Sequence, residues 1–74
     1  MNCQSMQNVK ILINGVSREV PDGTTIAELL AKLEMNARHV AVEVNLHLVP
    51  RAQHARYALR EADHLEVVSL VGGG

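Results

Sequence analysis

Phenylalanine and tryptophan are absent from this 74-residue chain, and Tyr57 is its single aromatic residue. A core without large aromatics has to be assembled from valine, leucine, isoleucine and alanine. At this length it buries only roughly 60% of the surface that the unfolded chain exposes. Such a core leaves little room for an enclosed cofactor cavity, so an enzyme with its own buried pocket is not expected. Cysteine occurs once, at Cys3, which excludes an internal disulfide and fits a reducing cytoplasm. A large charge of one sign is also missing. The formal net charge is −1, without the excess of Lys and Arg that a phosphate-binding surface needs, so no nucleic-acid partner is expected. No apolar run approaches the ~20 residues of a membrane span. The first residues lack the basic-then-apolar order of a signal peptide, and no membrane association is expected.

What is present is a sequence 47% apolar and 20% charged, the composition of a packed globular domain. Residues 1–7 are polar and aperiodic and read as a loose leader, with Met6 a candidate alternative start. Residues 8–71 then form one domain. Val9 to Ile13 is a β-branched strand, Asn14-Gly15 is a hairpin signal because both residues tolerate φ > 0, and Val16 to Val20 returns. Pro21-Asp22-Gly23 breaks the pattern. Thr25-Ile26-Ala27-Glu28 matches a capping box. Ile26, Leu29, Leu30 and Leu33 follow at the spacing of an amphipathic helix, with Asn36 as its stop. Val40, Val42 and Val44 alternate with Ala41, Glu43 and Asn45 as a third strand, and Leu48-Val49 is a short partner ended by Pro50. Ala52 to Tyr57 allows a helical turn, Glu61-Ala62-Asp63 is a polar turn, and Leu65 to Val71 is the last strand. The order predicts an α+β fold with four to five strands and one main helix. The helix stripe would cover a sheet face made of Ile11 or Leu12, Val42, Val44, Leu65 and Val67.

The last strand leads into Gly72-Gly73-Gly74. Glycine is costly to order, so this tail is expected to be flexible, and extended it would reach roughly 10 Å. A thread without Cβ atoms can enter a narrow channel, and the reactive group it carries is the Gly74 carboxylate. A partner can activate a carboxylate as an acyl-adenylate, from which a sulfur nucleophile displaces AMP once the groups are held in line. Val68 and Leu70 alternate with Leu65 and Val67, which makes them a surface pair beside the tail and, with Val71, a docking site for partners. His39, His47, His54 and His64 match no zinc spacing and read as solvated surface residues, so no metal is expected. Cys3 lacks a setting that would lower its pKa. Arg51, Arg56 and Arg60 read as a solvated face, and Asp22, Glu28 and Asp63 are accounted for by turns and capping.

Taken in order, Asn14-Gly15, Thr24-Thr25-Ile26-Ala27-Glu28-Leu29-Leu30, Val42-Glu43-Val44-Asn45, Val49-Pro50-Arg51 and Glu66-Val67-Val68-Ser69-Leu70-Val71 before the glycines resemble the ThiS family of sulfur carriers. The similarity covers about residues 8 to 74. The resemblance implies a ubiquitin-like β-grasp fold and a place in thiamine biosynthesis, with no catalysis and no cofactor of its own. An E1-like adenylyltransferase (ThiF-like) would adenylate Gly74, and a cysteine desulfurase or other sulfur donor would supply the sulfur. The resulting thiocarboxylate would serve a thiazole synthase (ThiG-like). The small subunit of molybdopterin synthase shares this fold and tail chemistry and is the nearest alternative; an interaction module with an inert tail is another. Two departures stand out. Glu61-Ala62-Asp63 replaces a turn where the carriers often have glycine, which suggests a type I turn without positive φ. Leu46 follows Asn45 where they often have Asn-Gly; because Leu is costly in a type I′ turn, another turn type is expected there.

Overall fold

The computed structural model describes residues 7–70. Within them the strands are β1 (Asn8–Ile13), β2 (Val16–Pro21), β3 (Val40–Val44), β4 (His47–Val49) and β5 (His64–Ser69), and the helix α1 spans Ile26–Lys32. Short 3-10 helices cover Ala37–His39 and Arg51–Arg56. The five strands form one mixed sheet in the order β2-β1-β5-β3-β4. β1 and β5 are parallel and every other pairing is antiparallel. The leader expected at residues 1–7 falls outside the described residues except for Gln7, whose carbonyl accepts a hydrogen bond from Asp22 N–H at 2.8 Å. Val71 and the tail at 72–74 also lie outside them.

The helix forms where its signals place it. Thr25 Oγ1 accepts from Glu28 N–H at 3.2 Å, and Thr25 N–H donates to Glu28 Oε1 at 3.0 Å, so two otherwise orphaned donors are satisfied. The helix ends earlier than Asn36. Glu34 takes a φ of 60°, its N–H donates to the Ala31 carbonyl, and Met35 N–H donates to the Leu30 carbonyl. That pair of bonds is a Schellman closure, with Glu34 in the left-handed position usually held by glycine. Asn36 instead caps the next 3-10 turn, its Oδ1 accepting from Arg38 N–H at 2.9 Å.

Ile26, Leu29 and Leu30 of α1 pack with Ile11, Ile13, Val20, Val42, Val44, Val49, Leu59, Leu65 and Val67, and Leu33 lies at the margin of this core. Of the two candidates on β1, Ile11 is the buried one and Leu12 is half-exposed. Leu59 belongs to the core although it lies in no regular element. Its segment is held by backbone bonds from Leu59 N–H to the Thr24 carbonyl and from Ile26 N–H to the Tyr57 carbonyl.

Both loop expectations are corrected. Asn45 and Leu46 have φ of 51° and 72°, between the paired residues Val44 and His47, so the two-residue connection has the positive-φ pattern of a type I′ turn. The reason is twist: a two-residue hairpin needs that turn to follow the right-handed coil of its strands, and Leu46, 87% exposed, takes the backbone penalty without steric conflict from packing. Ala62 has a φ of 71°, and Asp63 N–H donates to the Arg60 carbonyl, the pattern of a type II turn with Ala62 where glycine is preferred. Ala62 N–H donates to the Lys10 carbonyl at 2.7 Å, which ties this turn to β1. Leu46→Gly is therefore expected to stabilise the fold by about 1 kcal/mol. A urea unfolding curve reads this as a higher midpoint; an unchanged or lower one would argue against a strained turn.

Candidate functional site: the strand that leads to the glycines

β5 lies in the middle of the sheet, between β1 and β3, so its course is set from both sides. On the β3 side five residue pairs run from Val44↔Leu65 to Val40↔Ser69. Beyond the last of these, Leu70 N–H donates to the His39 carbonyl at 2.7 Å. On the β1 side, regular pairing covers Leu12↔His64 and Ile13↔Leu65 only. There Asn14 extends the ladder with its side chain: Oδ1 accepts from Val67 N–H at 2.8 Å and Nδ2 donates to the Val67 carbonyl at 3.2 Å. Asn45 does similar work at the other hairpin. Its Oδ1 accepts from His64 N–H, its Nδ2 donates to Asp63 Oδ1, and Asp63 Oδ2 accepts from Arg60 N–H. Each hairpin asparagine thus serves a positive-φ turn and grips the strand that leads toward residues 72–74.

Alternation along β5 sends Leu65 and Val67 into the core and leaves Val68 and Leu70 exposed, 52% and 64% respectively. The expected surface pair is present on the face of the sheet opposite α1. Ala41 stands beside Val68 in register, and Glu43 stands between Glu66 and Leu48. Leu48, 64% exposed, lies on the same face beyond Glu43. It was legible in the sequence: once Val49 points inward, its neighbour on the strand must point out. Val71, expected in the same docking site as Val68 and Leu70, and the glycines lie outside the described residues.

The histidine expectation holds at three positions and fails at one. His39, His47 and His64 are exposed. His54 is only 3% exposed; its Nε2 lies 3.1 Å from the Val49 carbonyl, which can only accept, so the Nε2–H donates, and its Nδ1 has no hydrogen-bond partner among the described residues. The 3-10 helix after Pro50 turns this residue inward, a direction that its neighbours in the sequence do not announce. Asp63 is buried as well, fastened in the turn just described. Among the described residues no group of His, Cys, Asp and Glu is arranged to hold a metal ion, and no helix is long and apolar enough to cross a membrane.

Comparison with known proteins adds three findings. The ThiS family model matches residues 11–74. Thiazole synthase from Paramagnetospirillum magneticum is 41% identical over 66 residues, and that of Magnetococcus marinus is 39% identical over 66. These alignments take in 89% of this chain, which spans only about one fifth (20%) of either relative. The uncharacterized protein ycf40 of Pyropia yezoensis is 37% identical over 67 residues, covering 90% of this chain and 94% of the relative. Among solved structures, the crystal structure of the thiamine biosynthesis protein ThiS from Geobacter metallireducens superposes with a TM-score of 0.77 at 26% identity. It covers 89% of this chain and 100% of its own.

Proposed function

Because the chain belongs to the ThiS family, the sulfur carriers of thiamine biosynthesis, we propose that Gly74 is the point at which it carries sulfur. The observation that supports this most directly is the extent of the family match, which runs through β5 and on to Gly74. In this reading the Gly74 carboxylate attacks the α-phosphorus of ATP in a ThiF-like adenylyltransferase, releasing pyrophosphate. A sulfur nucleophile, supplied as a persulfide by a cysteine desulfurase or another donor, then attacks the acyl carbon and AMP leaves. Cleavage of the persulfide bond by a thiol yields the thiocarboxylate. Its sulfur is softer and more nucleophilic than a carboxylate oxygen, which suits attack on an electrophile held by a ThiG-like thiazole synthase.

The carrier's own contribution is positional. The chemistry requires the acyl group to be held in line with the nucleotide, and the partners own those sites. Val68, Leu70 and Val71 would dock on them. The chain is then a substrate of successive enzymes, and no side chain is assigned a catalytic role. The names of the thiazole synthase relatives favour the thiazole pathway over the molybdopterin one.

The test is chemical. The chain is incubated with a ThiF-like enzyme, ATP and a sulfur donor, and intact mass is read for exchange of one oxygen by sulfur. Full modification is expected for the chain ending at Gly74 and none for a variant lacking Gly74. Modification of the shortened chain, or an inert native one, would overturn the proposal and favour an interaction module with an inert tail.

A further inference from the structure

Charge is divided unevenly along the chain. From Val44 to Arg60 there are three arginines and no acidic residue, although acidic residues outnumber basic ones over the chain as a whole. The fold gathers part of this stretch into one concavity. A cleft of about 490 Å³ is lined by Asn45, Arg56, Tyr57, Ala58, Arg60 and Asp63. Neither Arg56 nor Arg60 has an ion-pair partner among the described residues. Asp63, the acid in the cleft, already accepts hydrogen bonds from Asn45 Nδ2 and Arg60 N–H, so it is committed to the turn. Tyr57, half-buried against the core, gives the cleft a firm wall.

We infer that this cleft is a second docking site, one that takes a carboxylate-bearing, acidic segment of a partner protein. Guanidinium groups present planar forks of N–H donors that match carboxylates two bonds at a time. A carboxylate suits the cleft better than a phosphate for two reasons. The Asp63 charge repels a dianion more than a monoanion, and no glycine-rich backbone cradle supplies the N–H groups that phosphate sites use. The position matters too. Asn45 and Asp63 flank the first residue of β5, while Leu70 lies at its far end, roughly 20 Å along the strand. Binding here is therefore independent of the tail and of whether it carries oxygen or sulfur, so the inference goes beyond the proposed function and stands apart from it.

The test is an NMR titration of the full chain with a short glutamate peptide, with a glutamine peptide of equal length and inorganic phosphate as comparison probes. Shifts are expected to concentrate on the Arg56 and Arg60 side-chain N–H groups and on the Asn45 and Tyr57 amides, and to shrink as salt is raised. Arg56→Gln with Arg60→Gln should weaken binding by about fivefold or more, with the remaining spectrum unchanged. Arg56→Lys with Arg60→Lys should restore only part of it, and a chain lacking residues 72–74 should bind like the native one. Shifts spread equally over Lys10, Arg18, Lys32 and Arg38, undiminished binding by the glutamine variant, loss of binding without the tail, or tighter binding of phosphate would each overturn the inference.

Discussion

Val68→Asp combined with Leu70→Asp is expected to weaken binding to the proposed partners, a ThiF-like adenylating enzyme and a ThiG-like thiazole synthase, by more than about thirtyfold while leaving the fold in place. Both side chains stand on the outer sheet face, Val68 beside Ala41, and neither contributes to the core. An apolar anchor at the centre of an interface is commonly worth about 2 kcal/mol or more on truncation, which is the thirtyfold quoted. A buried, unpaired carboxylate adds to that loss. Stability should change little, because exposed substitutions are usually within about 0.5 kcal/mol. Glu66, on the same face one alternation away from Val68, already shows that the strand tolerates a carboxylate there. Calorimetric titration against each partner, with a thermal melt of the variant, separates the two effects. Unchanged affinity would remove the outer face from the proposed docking surface and leave the thiocarboxylation chemistry standing.

Leu59→Ala is expected to cost roughly 2–5 kcal/mol, the range for truncating a fully buried leucine. Leu59 is 1% exposed and packs within the same core as α1 and the sheet. A domain of this size has on the order of 4–11 kcal/mol of stability in total, so one substitution removes a large share. The melting temperature should fall by more than about 10 °C. Leu48→Ala is the control. It removes the same atoms from the outer face and should shift the melt little. Equal losses for the two would mean that Leu59 is not the seal its burial suggests.

These two leucines show where the sequence is a good guide and where it is silent. Leu48 follows from strand alternation, as Val68 and Leu70 do, and the helix stripe and the Thr25–Glu28 box were legible for the same reason: they depend on residues a few positions apart. Leu59 sits in an aperiodic stretch between a 3-10 helix and a turn. Its burial is decided by backbone bonds to Thr24 and by Tyr57 and Ile26 meeting across the fold. His54 is another such case, turned inward by the chain after Pro50.

The turns make the same division more sharply. Asn14-Gly15 announces its own conformation. Leu46 and Ala62 argue against the positive φ they adopt, because local preference is worth only about 1–2 kcal/mol and the pairing of two strands outweighs it. By itself, then, the sequence determined the elements, the single helix face, the alternation of β5 and the Gly72-Gly73-Gly74 end that carries the functional reading. Only the tertiary structure decided the strand order that puts β5 between β1 and β3, the grip of Asn14 and Asn45 upon it, and the cleft shared by Arg56 and Arg60. Those depend on residues up to 53 positions apart, whose meeting is fixed by the packing of the whole domain and by no local preference.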